Sequence, residues 1–479
     1  MKNYFLLSLL SMLIFSSSYR SYGQESTLWT LEKCIEYAIH NNIRIKQYVL
    51  DEQSAEINKD IVVGSFMPNV NLTGNHSWTI SDQPNQQSNQ IENRTIQSST
   101  FGVGVNIDIY NGLSKQNTLV KARLSLIASQ YNLQKMKEDI ALNVINSYLQ
   151  ILFNKELVKT NKLQLEYDKS QEVRTNELVE AGVVPKGDLL ESQATVAVAT
   201  QRLITSQNEL VMARLNLAQL LQITSYESFD VIDTDYEIGQ SRVLAYSPKD
   251  IASKAVDALT DLKTADTNVS IAEQEVKIAK SSYSPTLQAF YNLGTNISYQ
   301  DRMIGTEILS STSEIGYVEG SNVRVLRNNS MGIYGGPNSF FNQVNDNFNS
   351  NFGLSLKIPV FNGLSTRNTV KLKKLMLEQV RNEREVKALN LEQVVFKAYT
   401  DTESAMRKFE ASNVSLEARK LSLEYAKERY SVGMISIFDL NQNQNLFVAA
   451  QSDLLRSKYD YIFKTKILEY YFGIPLFKN

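Results

Sequence analysis

The chain has 479 residues, with 49 Lys and Arg against 51 Asp and Glu, one cysteine, two histidines and eight prolines. A net charge of −2 excludes a broadly basic surface for nucleic acid or for anionic lipid. The lone Cys34 excludes an internal disulfide framework, and His40 and His76 are too few and too far apart for a zinc motif.

Met1, Lys2 and the apolar run from Tyr4 to Phe15 read as a signal peptide over residues 1–23, with Ser21 and Gly23 as the small residues before a cut at Gln24. An N-terminal membrane anchor is the other reading, but the run is shorter than the ~20 residues a span needs. Trp29 to Met67 carries a helical pattern that Pro68 stops. From Asn69 to Ile80 the residues alternate: Val70, Leu72, His76, Trp78 and Ile80 share one face, and Asn71, Thr73 and Asn75 the other. Ser81 to Thr100 is rich in Gln, Asn and Ser and reads as a loop. Phe101 to Tyr110 alternates again and ends at Asn111-Gly112, where a helical pattern begins that runs to about Glu180. At ~1.5 Å per residue such a helix is on the order of 100 Å long. G-V-V-P-K-G (Gly182 to Gly187) interrupts it, and a partner helix returns from Asp188. Leu189, Val196, Leu203, Leu210 and Leu217 recur at heptad spacing, with the small Ser192, Ala199, Ser206 and Ala213 between them. That pattern predicts a close antiparallel coiled-coil hairpin. Thr224 to Ser247 has no clean period and reads as an irregular connector.

The same order then recurs. Pro248 to Tyr283 is a helix matching the first, and Pro285 follows it as Pro68 follows the earlier one. Thr286 to Ile297 alternates. Ser298 to Asn351 is a polar stretch expected to be exposed and poorly ordered, and it makes the second loop much longer than the first. F-G-L-S-L-K-I-P-V-F-N-G-L-S (Phe352 to Ser365) repeats the pattern of F-G-V-G-V-N-I-D-I-Y-N-G-L-S (Phe101 to Ser114). A second long helix runs from Leu364 to about Ser431, breaks at Gly433 and returns to about Phe472. The step from Phe101 to Phe352 also carries Gly182 onto Gly433 and Asp188 onto Asp439. The chain is therefore expected to be mixed but mainly α, in two pseudo-symmetric repeats. It shows no G-x-S-x-G, no phosphate-cradling glycine loop and no His-carboxylate cluster, so no enzyme and no cofactor is expected.

Four strands of ~10–12 residues with one apolar face match transmembrane barrel strands in length. A soluble β-domain with a one-sided core is the alternative. Four strands cannot close a barrel, and open edges are not tolerated in lipid. Two chains would give eight strands and a filled barrel; three would give twelve and leave a channel. Trp78, Tyr110, Phe290, Tyr291 and Phe361 near strand ends suit an aromatic girdle.

The layout resembles the TolC-like outer membrane efflux proteins. The carriers are T-L-E-K-C-I-E-Y-A-I-H-N-N at the first helix, the two N-G-L-S junctions, and the tips L-V-E-A-G-V-V-P-K-G-D and R-Y-S-V-G-M-I-S-I-F-D. The resemblance implies a homotrimer: a long antiparallel coiled-coil helical tunnel below a 12-stranded barrel, four transmembrane β-strands coming from each chain. It divides this chain into a signal peptide (1–23), an N-terminal periplasmic helix (24–67), barrel hairpin 1 (68–112), long helical hairpin 1 (113–223), an equatorial connector (224–247), the helix of repeat 2 (248–284), barrel hairpin 2 with a long extracellular loop (285–363), and long helical hairpin 2 with the C-terminal segment (364–479). Outer-membrane lipid, a periplasmic adaptor protein and an inner-membrane transporter are the implied partners, with no nucleic acid. The implied function is the exit duct of a tripartite efflux or type I secretion system. A structural or adhesive surface protein on a coiled-coil stalk is the alternative.

By the same resemblance Asp439 forms a ring that narrows the tip. The second carboxylate of such rings is Gln442 here, and the latches between tip helices fall on Tyr430 and Asp188. The latch's basic partner is replaced by Ile435. Gly182 and Gly433 mark the tips; Asn111, Gly112, Asn362 and Gly363 mark the barrel-to-tunnel junctions. A second reading of the two aspartates is helix capping: Asp188 as an N-cap with Glu191, and Ser436 as an N-cap with Asp439.

Overall fold

The computed structural model describes residues 28–84, 90–224, 229–233 and 242–476. The expected signal peptide lies outside them. The chain divides into two units. The first is Met1–Ala55, Ser125–Val269 and Val380–Asn479, and the second is Glu56–Leu124 and Ser270–Gln379.

In the first unit, β1 (Leu28–Trp29) pairs in parallel with β4 (Asp230–Val231). α1 (Leu31–Asn41) starts at Thr30, whose hydroxyl accepts from the Lys33 N–H. The single helix expected over Trp29 to Met67 is thus interrupted. Trp29 belongs to β1, and Asn42 separates α1 from α2 (Ile43–Gly64). Asn42 is buried; its side chain donates to Leu220 O at 2.9 Å and accepts from the Arg44 N–H at 2.9 Å, which fixes the break. The expected second helix divides likewise into α5 (Pro248–Ala258) and α6 (Thr260–Ser281), with Ser247 as cap and Leu259 as break. The step from Pro68 to Pro285 carries Thr30 onto Ser247 and Asn42 onto Leu259, so cap and break recur in register. The expected irregular connector holds β4 and a short 3-10 turn at Arg242–Ala245; its residues 225–228 and 234–241 lie outside the described ones.

The long hairpins take the expected form. α3 (Ser114–Glu180) is followed by α4 (Lys186–Leu221), and α8 (Ser365–Ser431) by α9 (Ile437–Tyr471). Ser192, Ala199, Ser206 and Ala213 are all buried, and Asn154 of α3 donates to Glu209 O of α4 at 3.2 Å. The main apolar cluster joins α1 (Cys34, Ile35, Ala38), the middle of α3 (Ile140 to Leu152), the end of α4 (Leu217 to Leu221) and Val231. Tyr148, fully buried there, donates to Ile232 O at 3.1 Å. Burial pushes the Cys34 thiol up to about 12, so it stays protonated and unreactive.

In the second unit, β2 (Asn69–Pro84), β3 (Ile91–Asn111), β5 (Thr286–Ser298) and β8 (Asn349–Lys357) form an antiparallel sheet in the order β2-β3-β5-β8. The loop expected over Ser81 to Thr100 is mostly strand, because β2 and β3 stay paired out to Pro84↔Ile91. Those residues are mostly polar, and a ladder stabilises them without a buried face. β8 stops before Pro359, which has no N–H to give to a ladder, so Ile358 and Val360 lie beyond the strand. At the matching position of β3, Asp108, the register shifts.

The Ser298 to Asn351 stretch, expected to be poorly ordered, is folded. β6 (Arg302–Tyr317) pairs with β7 (Arg324–Gly335), and α7 (Phe340–Asp346) follows. Gln343 fastens α7 to β5: it accepts from the Ser298 N–H at 2.8 Å and donates to Ser298 O at 2.9 Å. The turn segment V-E-G-S-N-V (Val318 to Val323), flanked by Ile308, Ile315, Val325 and Ile333, is the legible hairpin signal.

Candidate functional site: helical tips and strand-to-helix junctions

Both tips are built by the same backbone device. Past α3, Gly182 N–H donates to Val179 O and Val183 N–H to Leu178 O. Past α8, Gly433 N–H donates to Tyr430 O and Met434 N–H to Arg429 O. This closure needs a left-handed residue, and Gly182 and Gly433 supply it with φ of 71° and 75°.

The returning helices start differently. Ser436 caps α9 in a capping box: its hydroxyl accepts from the Asp439 N–H at 3.2 Å, and the Asp439 carboxylate accepts from the Ser436 N–H at 3.2 Å and its hydroxyl at 2.8 Å. Asp439 therefore caps, and its side chain is still exposed. The expected N-cap at Asp188 is not formed. α4 begins at Lys186 after Pro185, which has no side-chain oxygen to accept from the helix, and Asp188 lies within the first turn. An acid there still suits the positive helix end.

Tyr430 packs with Ile435 and Phe447 against Leu423, Ala426, Ile437 and Leu440. Burial pushes its phenol above the usual tyrosine range, and the Asp188 charge pushes it further. The structure thus brings Tyr430 and Asp188 within electrostatic reach. Ile435, standing where the resemblance expects a base, belongs to the apolar cluster instead. Gln442 is exposed one turn past the cap.

Sequence reasoning missed the run around Gln442, N-Q-N-Q-N (Asn441 to Asn445). Asn441 donates to Thr195 on α4 at 3.1 Å, and Asn445 accepts from Arg202 on α4 at 3.2 Å. Asn443 accepts from Ser422 on α8 at 3.0 Å, and Gln444 donates to Gln164 on α3 at 2.5 Å. Gln164 in turn donates to Asp168 at 2.7 Å. Asp168 is buried, and that burial pushes its carboxyl up to about 6 against the Gln164 hydrogen bond and the Arg202 charge. Unbroken polar side chains in a coiled-coil segment are the available signal.

At the junctions, β3 passes into α3 through Gly112 and Leu113 at φ 66° and 63°, and β8 leads to α8 through Gly363 and Leu364 at φ 64° and 63°. Asn111 accepts from the Lys115 N–H at 3.3 Å, and Asn362 donates to the Thr366 hydroxyl. A Cβ on Gly112 would lie 2.5 Å from Ser281 O, whereas one on Gly363 meets nothing within 4 Å.

The apolar face of the sheet is exposed along its edge strands, while toward the middle α7 covers part of it: Phe340 meets Phe101 edge-on at 6.3 Å, Thr295 donates to Val344 O at 3.3 Å, and Ile297 is fully buried. Leu72, Trp78, Ile80, Phe352, Leu354 and Leu356 are all more than half exposed, and none of the three buried apolar clusters includes a residue of β2, β3, β5 or β8. Among the described residues no helix is long and apolar enough to cross a membrane, and no group of His, Cys, Asp or Glu is placed to hold a metal ion.

Comparisons with known proteins agree with this architecture. The outer membrane efflux protein family matches residues 34–221 and 251–465. The outer membrane efflux protein BepC of Brucella suis is 19% identical over 440 residues, covering 92% of this chain and 84% of the relative. The crystal structure of the Campylobacter jejuni CmeC outer membrane channel superposes with a TM-score of 0.74 at 15% identity, covering 92% of this chain and 85% of that one. That of the outer membrane protein VceC of Vibrio cholerae gives 0.72 at 12% identity, covering 92% and 96%. A sheet whose edge strands expose their apolar side chains, leading along the chain into paired long helices and matched over most of its length, identifies it: the chain belongs to the outer membrane efflux protein family, TolC-like channels of the outer membrane with a large periplasmic helical part.

Proposed function

We propose that three copies of this chain close their sheets into one twelve-stranded barrel that continues into a periplasmic helical tunnel. The assembly is the passive exit duct of a tripartite efflux or type I secretion system, fed through a periplasmic adaptor by an inner-membrane transporter. The observation that carries this reading is the sheet itself: β2 and β8 are its edges, and their apolar side chains, Leu72, Trp78, Ile80, Phe352, Leu354 and Leu356, stand exposed with no cluster packed on them. Backbone groups on such edges must be paired before the sheet can sit in lipid. Each chain is read as two repeats, in register by the step from Pro68 to Pro285 up to the second hairpin and by the step from Phe101 to Phe352 beyond it. Carried by those two steps, the Gly104↔Asn292 pair of β3 and β5 becomes Ser355 of one copy opposite Asn75 of the next.

The β6–β7 hairpin lies on the extracellular side, and the tips at Gly182 and Gly433 form the periplasmic gate. There Asp439, repeated three times about one axis, gives a ring of carboxylates attractive to cations. Tyr430 and Asp188 hold the gate closed. Mass measurement in detergent together with planar-bilayer recording tests the reading. A particle of three chains that conducts is expected; a stable single chain in lipid overturns it.

A further inference from the structure

Within the chain, α6 is covered on two sides. Asp261 at its start pairs with Lys135 of α3 at 3.1 Å and with Lys387 of α8 at 3.5 Å. Arg384 of α8 reaches Asp266 at 2.8 Å, and Thr260 donates to Glu138 of α3 at 3.2 Å. The two lysines hold the Asp261 carboxyl below the usual carboxylate range although burial opposes them. Thr260 and Thr267 are accordingly only 6% and 8% exposed.

α2 occupies the place of α6 in the other repeat, by the same step that relates Pro68 to Pro285. α3 covers one side of it, where Gln130 donates to Glu52 at 3.1 Å. Its Ile43 and Leu50, the counterparts of Thr260 and Thr267, are 64% and 58% exposed. α8 is the counterpart of α3, by the step that relates Phe101 to Phe352. Its Val386 and Leu389 stand for Lys135 and Glu138 and are 54% and 60% exposed. Two faces are therefore bare whose counterparts meet each other inside the chain.

We propose that Val386 and Leu389 of one copy pack on Ile43 and the aliphatic stem of Arg44 of the next, with Leu50 continuing the seam along α2. The inference rests on the threefold assembly proposed above and adds what holds its helical wall together. The repeat transforms Glu138–Thr260 into Leu389–Ile43 and Lys135–Asp261 into Val386–Arg44, so a polar contact within the chain becomes an apolar one between copies. The change of chemistry has a physical reason. A contact inside one chain is already held close by covalent linkage. A contact between chains must overcome the loss of translational and rotational freedom, and apolar area provides that without leaving charges to be paired. The arginine stem can cover Val386 while its head stays in water.

Full-length protein in outer-membrane preparations, carrying Ile43→Cys together with Leu389→Cys and treated with a short bis-maleimide, tests the seam. Products of two and three chains are expected from the double variant and from neither single one. Cys34 is buried, so the parent chain should give none. Asn75→Cys with Ser355→Cys, in the barrel edges, reports the assembly separately. If the barrel pair links and the helix pair does not, or links only within one chain or to another protein, the seam is wrong and the trimer stands. If neither pair links and the mass in detergent is that of one chain, the assembly reading fails. A second readout uses Leu389→Glu, which should lower the temperature at which the trimer separates. Adding Ile43→Thr, which copies the Glu138–Thr260 pair, should recover it. A Leu389→Glu trimer as heat-resistant as the parent overturns the seam.

Discussion

Replacing Asp439 with Asn separates two roles of one side chain. Loss of the box with Ser436 should cost about 1 kcal/mol of local helix stability, read as faster amide exchange at the start of α9. Loss of the proposed carboxylate ring should also reduce cation preference in bilayer recordings. Weaker capping with unchanged selectivity would leave Asp439 a cap alone. Tyr430→Phe and Asp188→Ala should instead raise the closed-state conductance, if the proposed latch between the two hairpins at the tip holds. Asp168 offers a test by pH. Its carboxyl is raised from 3.8 to about 6, so the folded protein binds the proton more tightly than the unfolded chain. Its contribution to stability should therefore be greatest below about pH 4, fall as the pH rises to about 6 and then level off. Asp168→Asn keeps an acceptor for Gln164, should flatten that fall and should raise the melting midpoint at neutral pH by a few degrees.

At the scale of the element, the junction glycines are expected to differ. Gly112→Ala forces a Cβ to within 2.5 Å of Ser281 O and must displace backbone, so it should lower the yield of folded chain sharply. Gly363→Ala meets open space in the single chain and should cost only about 1 kcal/mol through its positive φ. Yields of folded protein from the two variants check this. The long helices and the four-strand alternation are legible in the sequence because period and length are both extreme there. Ser192, Ala199, Ser206 and Ala213 announce the buried stripe of α4 directly. The breaks at Asn42 and Leu259 are not legible, since a one-residue interruption leaves the helical period on either side intact. Residues 91–100 resemble loop because a ladder in water needs no apolar face, and polarity alone does not tell strand from disorder. The hairpin over 302–335 is legible from its turn and flanking apolar residues, but it lies in a stretch whose Asn, Gly and Ser content suggests disorder. At the tip, the Ser436–Asp439 box is readable from spacing alone. The Asp188 cap fails because Pro185 already fixes where α4 begins.

For the whole molecule, the proposed orientation puts β6–β7 outside the cell and the tips in the periplasm. An epitope tag inserted at Asn328, within β7, should be reached by antibody on intact cells; a tag reached only after permeabilisation would reverse the orientation. The two unpaired edges of the sheet also carry a genetic consequence. If no ring closes without three chains, each chain is answerable for its neighbours' function as well as its own. In a cell making a parent and a closure-defective chain in equal amounts, only about one ring in eight would be free of the defective copy. A chain altered at Ser355 or Leu389 should therefore behave as a dominant allele, sensitising cells that still carry an intact gene.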